Sequence, residues 1–393
     1  MRIVELIARH VRIPLRKPIT HASHSRVDTD SLVVSCRLDN GSEGWGEGLP
    51  RSYVTGETIE SAWQLLKDVN LQPSLGGSFT GLPEVVERLR AFRLPAPSDD
   101  DRACFGNSVR CAIELAILDA VCQAEGVPLS QVTTLVPEVA ALRQSVERVR
   151  YSGVFTAMSR WAQYVRAIKL RLFGFQQVKV KVGVPGVDDE QLLHRLRRLL
   201  GASFDLRIDA NEAWTCEILA ARLEKLLPYG IPSLEQPVPH AEVGGLAALR
   251  GRLGVPVMLD ESLCSLVDAE RAIQAGTCDL FNLRLSKCGG FLTSLLLAAR
   301  AQAAGLGCQL GCQVGETGIL SAAGRHFATS VAGLRYLEGS YDRFLVREPL
   351  TRENLTFGPG GFARALTGPG LGITVDPAAL QRVTIAEQRL AIV

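Results

Sequence analysis

From about residue 149 onward the chain repeats one rhythm. A short apolar, strand-like run is followed by a longer stretch with apolar residues every three or four positions. The strand candidates are YSGVF, VKVKV, LRIDA, SLEQP, VMLDE, FNLRL, CQLGC and RYLEG, and helical stretches such as DDEQLLHRLRRLLG and CEILAARLEKLLPYG lie between them. Strands alternating with helices predict a parallel sheet, because parallel neighbours need a long crossover. Eight such units is the number that closes a (β/α)8 barrel, whose chemistry collects at the carboxyl ends of its strands.

The preceding segment is of another kind. SLVVSCRL is β-branched and partly alternating, and DNGSEGWGEG supplies Asn-Gly turn chemistry for a hairpin. From Glu57 to about Val127 the period turns helical, notably in SVRCAIELAILDAVCQA, with LPAPSDDD as an intervening loop. The Gly- and Pro-rich tail, with FGPGGFARALTGPGLG, is expected to run back to this first unit. The predicted organisation is an α+β capping domain (1–148), a (β/α)8 barrel (149–340) and a returning segment (341–393).

A formal charge of +2 over 393 residues leaves no basic field for nucleic acid or a membrane surface. The ten cysteines form no CxxC pair and mostly sit in apolar runs, as buried free thiols of a reducing compartment would. MRIVELIARHVRIPL lacks the apolar run of a signal peptide, and FLTSLLLAARAQAAGLG is interrupted by Arg300. A soluble cytoplasmic protein is expected.

Three acids end successive strand candidates: Asp209 in LRIDAN, Glu235 in IPSLEQP and Asp260 in PVMLDES. Any one of them suits a helix N-cap or the surface. All three at one end of a barrel predict a cation site, and carboxylates without His or Cys select a hard ion, Mg²⁺ first and Mn²⁺ second. Asn211 shares a face with Asp209, and Glu261 is expected to orient the ligands rather than bind. On the preceding strand Lys179 and Lys181 share a face, with valines on the other. An isolated KxK is usually a solvated edge. On a central barrel strand it predicts a base, since a neighbouring ammonium and burial both lower a lysine pKa.

With these pieces assembled, the sequence resembles the enolase superfamily, in its mandelate racemase/muconate-lactonising branch. VKVKVG, IDANEAW, LEQPVP, LDESL, SKCGG and GETGILSAAGRHFA carry the barrel resemblance, GSEGWGEGLPRSYVTGET the cap and PGLGITVD the C-terminal return. The resemblance implies a modified TIM barrel under an α+β cap, and a homo-oligomer. It implies Mg²⁺ on Asp209, Glu235 and Asp260, and Lys181 removing a proton α to a substrate carboxylate, with Lys179 tuning it. The ion would stabilise the enediolate. Cap loops carrying His21, His24, Arg51 and Tyr53 would read the substrate, Glu338 would contact it, and Glu316 matches the family's acid at the seventh strand.

One position departs from the pattern. The family usually carries a lysine on the sixth strand facing Lys181, and in FNLRLSKCGG that position is Arg284. Lys287 falls out of phase with Asn282, Arg284 and Ser286 when counted by twos. Arginine is a poor acid or base. The expected reaction is therefore one-base chemistry on a small carboxylate, either syn dehydration or cycloisomerisation. A racemase or dipeptide-type epimerase is the alternative within the superfamily. A Schiff-base, aldolase-like barrel using Lys181 is the alternative from another class.

Overall fold

The computed structural model describes residues 1–20, 25–156 and 158–392. Each of the eight expected segments forms a strand: Gly153–Phe155, Gln177–Lys181, Asp205–Asp209, Leu234–Glu235, Val257–Leu259, Leu280–Leu283, Gly307–Leu310 and Leu334–Leu337. They pair in chain order and in parallel. Across the seam between the eighth and first strands, Ser152 N–H donates to the Leu337 carbonyl at 2.8 Å.

The helix Asp189–Leu200 shows how the outer layer is built. Asp188 caps it, accepting from Gln191 N–H at 3.0 Å, and Gly201 follows its last turn. Leu192, Leu193, Leu196 and Leu200 face the sheet and are buried, each contributing about 1.5–3 kcal/mol. Val178 and Val180 meet this layer from the second strand, fully buried, which turns the intervening lysines toward the barrel interior.

The cap is a four-stranded antiparallel sheet in the order Thr384–Arg389, Ile3–Thr20, Ser25–Leu38, Glu43–Gly48. Its edge strand comes from the chain's end, with Arg389 opposite Ile7. The expected hairpin turns at Gly41, which has φ +86°. The glycines beyond that turn do something else. A Cβ on Gly44, Gly46 or Gly48 would lie 2.1, 2.0 or 1.9 Å from backbone atoms of Ala120, Ala112 and Ser108. This bare stripe lets the helix Asn107–Glu125 lie directly on the sheet. Gly46→Ala should therefore lower stability by about 3 kcal/mol, since backbone must move to admit the methyl. An unchanged denaturant midpoint would refute the close approach.

Buried polar groups dock the cap on the barrel. Glu47 accepts from Thr317 N–H at 3.0 Å and Thr317 Oγ1 at 2.7 Å, at the start of the helix Gly318–Ser330. Burial pushes the Glu47 carboxyl up to about 7. All ten cysteines are free. Among the described residues, no helix is long and apolar enough to cross a membrane.

Candidate active site

The second barrel strand delivers two lysines with opposite properties. Lys179 is buried, and its Nζ lies 2.9 Å from Glu338 Oε2, 3.2 Å from Glu235 Oε1 and 3.3 Å from Asp209 Oδ2. Burial alone would lower its pKa, but Glu235, Glu338 and Asp209 together raise it well above the usual lysine range. It is a fixed cation. Lys181, half-buried, has its pKa lowered, chiefly by burial and further by the Lys179 charge, against the opposing pull of Asp209. Divergent environments on one strand thus separate a structural ammonium from a group able to take a proton.

The three acids stand at the ends of adjacent strands. Asp209 pairs in register with Glu235, and Glu235 with Met258, two residues before Asp260. All three are buried. Glu235 Oε1 also accepts from Asn282 Nδ2 at 2.8 Å, and Asp209 Oδ1 from Asn211 N–H at 3.0 Å. Just past the strand ends the chain turns through positive φ at Asn211 (+43°), Glu212 (+65°) and Gln236 (+35°). Such strained backbone persists only where its surroundings enforce it. Gln236 Oε1 in turn accepts from Asp260 N–H at 2.8 Å, tying the fourth strand to the fifth. Glu261 is reached by Asn211 Nδ2 at 3.4 Å, and burial with the nearby Asp209 charge pushes it to about 7.

Among the described residues, no three His, Cys, Asp or Glu side chains are gathered as a metal site; the strand-end acids are engaged by cations. The donor set nevertheless suits a hard divalent ion. It is all carboxylate, and the buried oxygens Asp209 Oδ2 and Glu261 Oε2 have no hydrogen-bond donor.

Asp260 is held from two sides. Arg284 pairs with its Oδ2, while Lys287 Nζ donates to Oδ1 at 2.9 Å, to the Asp260 carbonyl at 2.6 Å and to the Asn282 carbonyl at 2.8 Å. Counting by twos misplaces Lys287, because the sixth strand ends at Leu283. From Arg284 the chain makes a helical turn, with Cys288 N–H donating to the Arg284 carbonyl at 2.9 Å. A residue three further on then returns to the same side. Burial opposes the Arg284 charge, but Glu235 and Tyr53 hold its pKa above the ordinary value.

The remaining predicted residues divide. Glu338 is buried and bridges Lys179 to Arg207, whose Nη2 lies 2.5 Å from Glu338 Oε1. Arg207 was not singled out from the sequence, although it stands two residues before Asp209 and shares its face. Glu316 accepts from Gln313 N–H at 2.6 Å, and burial pushes it up to about 8. Arg51 does not reach into the barrel. It donates to the carbonyls of Asp30, Pro50 and Val314 and to Thr29 Oγ1. Tyr53 lies beneath the Arg26 guanidinium, 5.4 Å from its ring centroid. His21 and His24 lie outside the described residues.

Residues 161–379, more than half of the chain, match the model of the enolase C-terminal domain-like family. The L-Lys-D/L-Arg epimerase of Methylococcus capsulatus is 30% identical, over 95% of this chain and 99% of its own. The crystal structure of N-succinyl Arg/Lys racemase from Bacillus cereus ATCC 14579 superposes with a TM-score of 0.86 at 27% identity, covering 99% of this chain and 100% of that one. The dipeptide epimerase from Enterococcus faecalis V583, complexed with Mg and L-Leu-L-Tyr, superposes at 0.81 and 25% identity, over 95% and 100%. The barrel, its cap and the order of its motifs agree with these matches: the chain belongs to the enolase superfamily, in the mandelate racemase/muconate-lactonising branch, and is an enzyme of that superfamily.

Proposed function

We propose that this enzyme removes the proton α to a carboxylate with Lys181 as base, beside a Mg²⁺ ion held by Asp209, Glu235 and Asp260. The observation that carries this reading is the divergence of the two lysines. Lys179 is committed to three carboxylates, while Lys181 stands half-buried at the strand end with a weakened hold on its proton. The complex of the Enterococcus faecalis epimerase with Mg and a dipeptide supports the choice of ion. When bound, the ion supplies a Lewis acid that stabilises negative charge developing on the substrate carboxylate.

The chain's own residues then favour reaction on one face. Arg284 stays protonated and paired with Asp260, so it orients and neutralises but does not exchange protons. Lys181, once protonated, delivers its proton only on the face it took it from: to the departing oxygen, which leaves as water, in a syn elimination, or to the α-carbon of the enediolate in a cycloisomerisation. That suits syn elimination or cycloisomerisation. Epimerisation is the second reading, favoured by the epimerases and racemase among the relatives. Reaction in D₂O with Mg²⁺, followed by NMR and chiral analysis, separates them. One-face chemistry places deuterium in a single configuration. Deuterium in both configurations would overturn it, and absence of Mg²⁺-dependent α-exchange with every carboxylate tried would overturn the base assignment.

A further inference from the structure

Two of the free cysteines meet across the joint between cap and barrel. Cys104 comes from the cap, just before the helix Asn107–Glu125, and Cys264 from the loop beyond the fifth barrel strand. With Val54 they form a small buried cluster set apart from the main core. Their thiols lie within side-chain hydrogen-bond range of each other. Each also donates to one of two consecutive cap carbonyls, Cys264 Sγ to Val54 at 3.6 Å and Cys104 Sγ to Thr55 at 3.8 Å. The two loops are pinned together around the pair. Arg102 Nη2 donates to Asp268 Oδ2 at 2.8 Å and to the Glu261 carbonyl at 2.9 Å, and Asn107 Nδ2 to the Cys264 carbonyl at 2.8 Å. A disulfide needs two sulfurs already presented to each other, with little backbone movement left to make.

The two thiols are placed differently. Cys104 ends a largely exposed turn, residues 99–103, in which Ala103 takes φ +51°, a conformation uncommon outside glycine. A small opening of that turn uncovers its sulfur. The Arg102 guanidinium stands within electrostatic range of both sulfurs, and a neighbouring cation favours the thiolate that attacks an oxidant. Cys264 is fully buried, and burial pushes its thiol up against the pull of Lys287 and Arg102. The pair thus divides into an attacking thiol near the surface and a resolving thiol behind it.

We propose that Cys104 and Cys264 form a reversible disulfide that locks the cap to the barrel when the enzyme meets a peroxide. The Cys104 sulfur attacks a peroxide oxygen and the O–O bond breaks. A sulfenic acid forms, and the thiol proton leaves with the departing hydroxide as water. The Cys264 sulfur then attacks the sulfenic sulfur. The S–S bond forms as the S–O bond breaks, and a second water carries off the Cys264 proton. The two thiols lose two electrons and the peroxide gains them. The test treats the reduced native enzyme with excess hydrogen peroxide and maps it by mass spectrometry without reductant. The expected product is lighter by about 2 Da and carries one cross-linked peptide pair, containing Cys104 and Cys264. Thiols titrated in denaturant should fall from ten to eight, and dithiothreitol should restore all ten. The urea midpoint of the oxidised form should rise by about 0.5 M or more, a shift absent from Cys104→Ala. Cys264→Ala should instead stop at the sulfenic acid, trapped on Cys104 by dimedone. Ten unreacted thiols under conditions that oxidise glutathione, a bridge to any other cysteine, or a bridged enzyme with an unmoved midpoint would each overturn the proposal. The mapping of the parent enzyme decides it even where a variant fails to fold.

Discussion

Lys181→Ala is expected to abolish α-proton exchange, lowering its rate by about 10³–10⁴-fold, the contribution of a positioned base. Substrate affinity should change far less, because the carboxylate set and Arg284 are untouched. The measurement is deuterium uptake at the α-carbon by NMR, beside a binding titration of the same variant. Retention of exchange within tenfold of the parent would remove Lys181 from the mechanism. Lys179→Ala should fail differently. Losing the ammonium at 2.9–3.3 Å from Glu338, Glu235 and Asp209 leaves three buried carboxylates facing one another. That variant is expected to unfold at markedly lower denaturant, whereas Lys181→Ala is not.

The pH profile follows with a definite sign. A base works when deprotonated, so kcat/KM should rise with pH through the Lys181 pKa. Burial and Lys179 set that limb below the usual 10.5 of a lysine. A limb at or above the ordinary lysine value would contradict the environment described for this side chain.

Which of these features could be read from the sequence depends on the range of the interaction involved. Alternation by twos placed Lys179 and Lys181 on the inner face and marked Asp209, because both belong to regular strands. The same rule misled at Lys287, where the strand stops at Leu283 and the backbone turns helical within one residue. Glu338 looked like a substrate contact because it ends the eighth strand. In the barrel it meets Lys179 of the second strand and Arg207 of the third, a closure that no local pattern announces. The cap shows the same limit. Asn-Gly chemistry disclosed the hairpin, but not that Gly44, Gly46 and Gly48 clear a path for the distant helix Asn107–Glu125.

Asp209→Asn should separate the ion from the base. The amide keeps an oxygen for Asn211 N–H, now at 3.0 Å, so the strand end is expected to hold its shape. The charge next to Lys179 is lost, together with an oxygen that has no hydrogen-bond donor in the parent. Affinity for Mn²⁺, measured by electron paramagnetic resonance, is expected to fall by more than about 100-fold. That exceeds what is typical when only a ligand's supporting partner is removed. The same change acts on Lys181, because Asp209 is the charge that most strongly opposes the lowering of its pKa. Residual activity at saturating metal should therefore show its pH limb displaced downward. A variant that binds Mn²⁺ as the parent does would disprove Asp209 as a ligand. A lost ion with an unmoved limb would keep the ligand and show that Lys181 takes its pKa from burial and Lys179 alone.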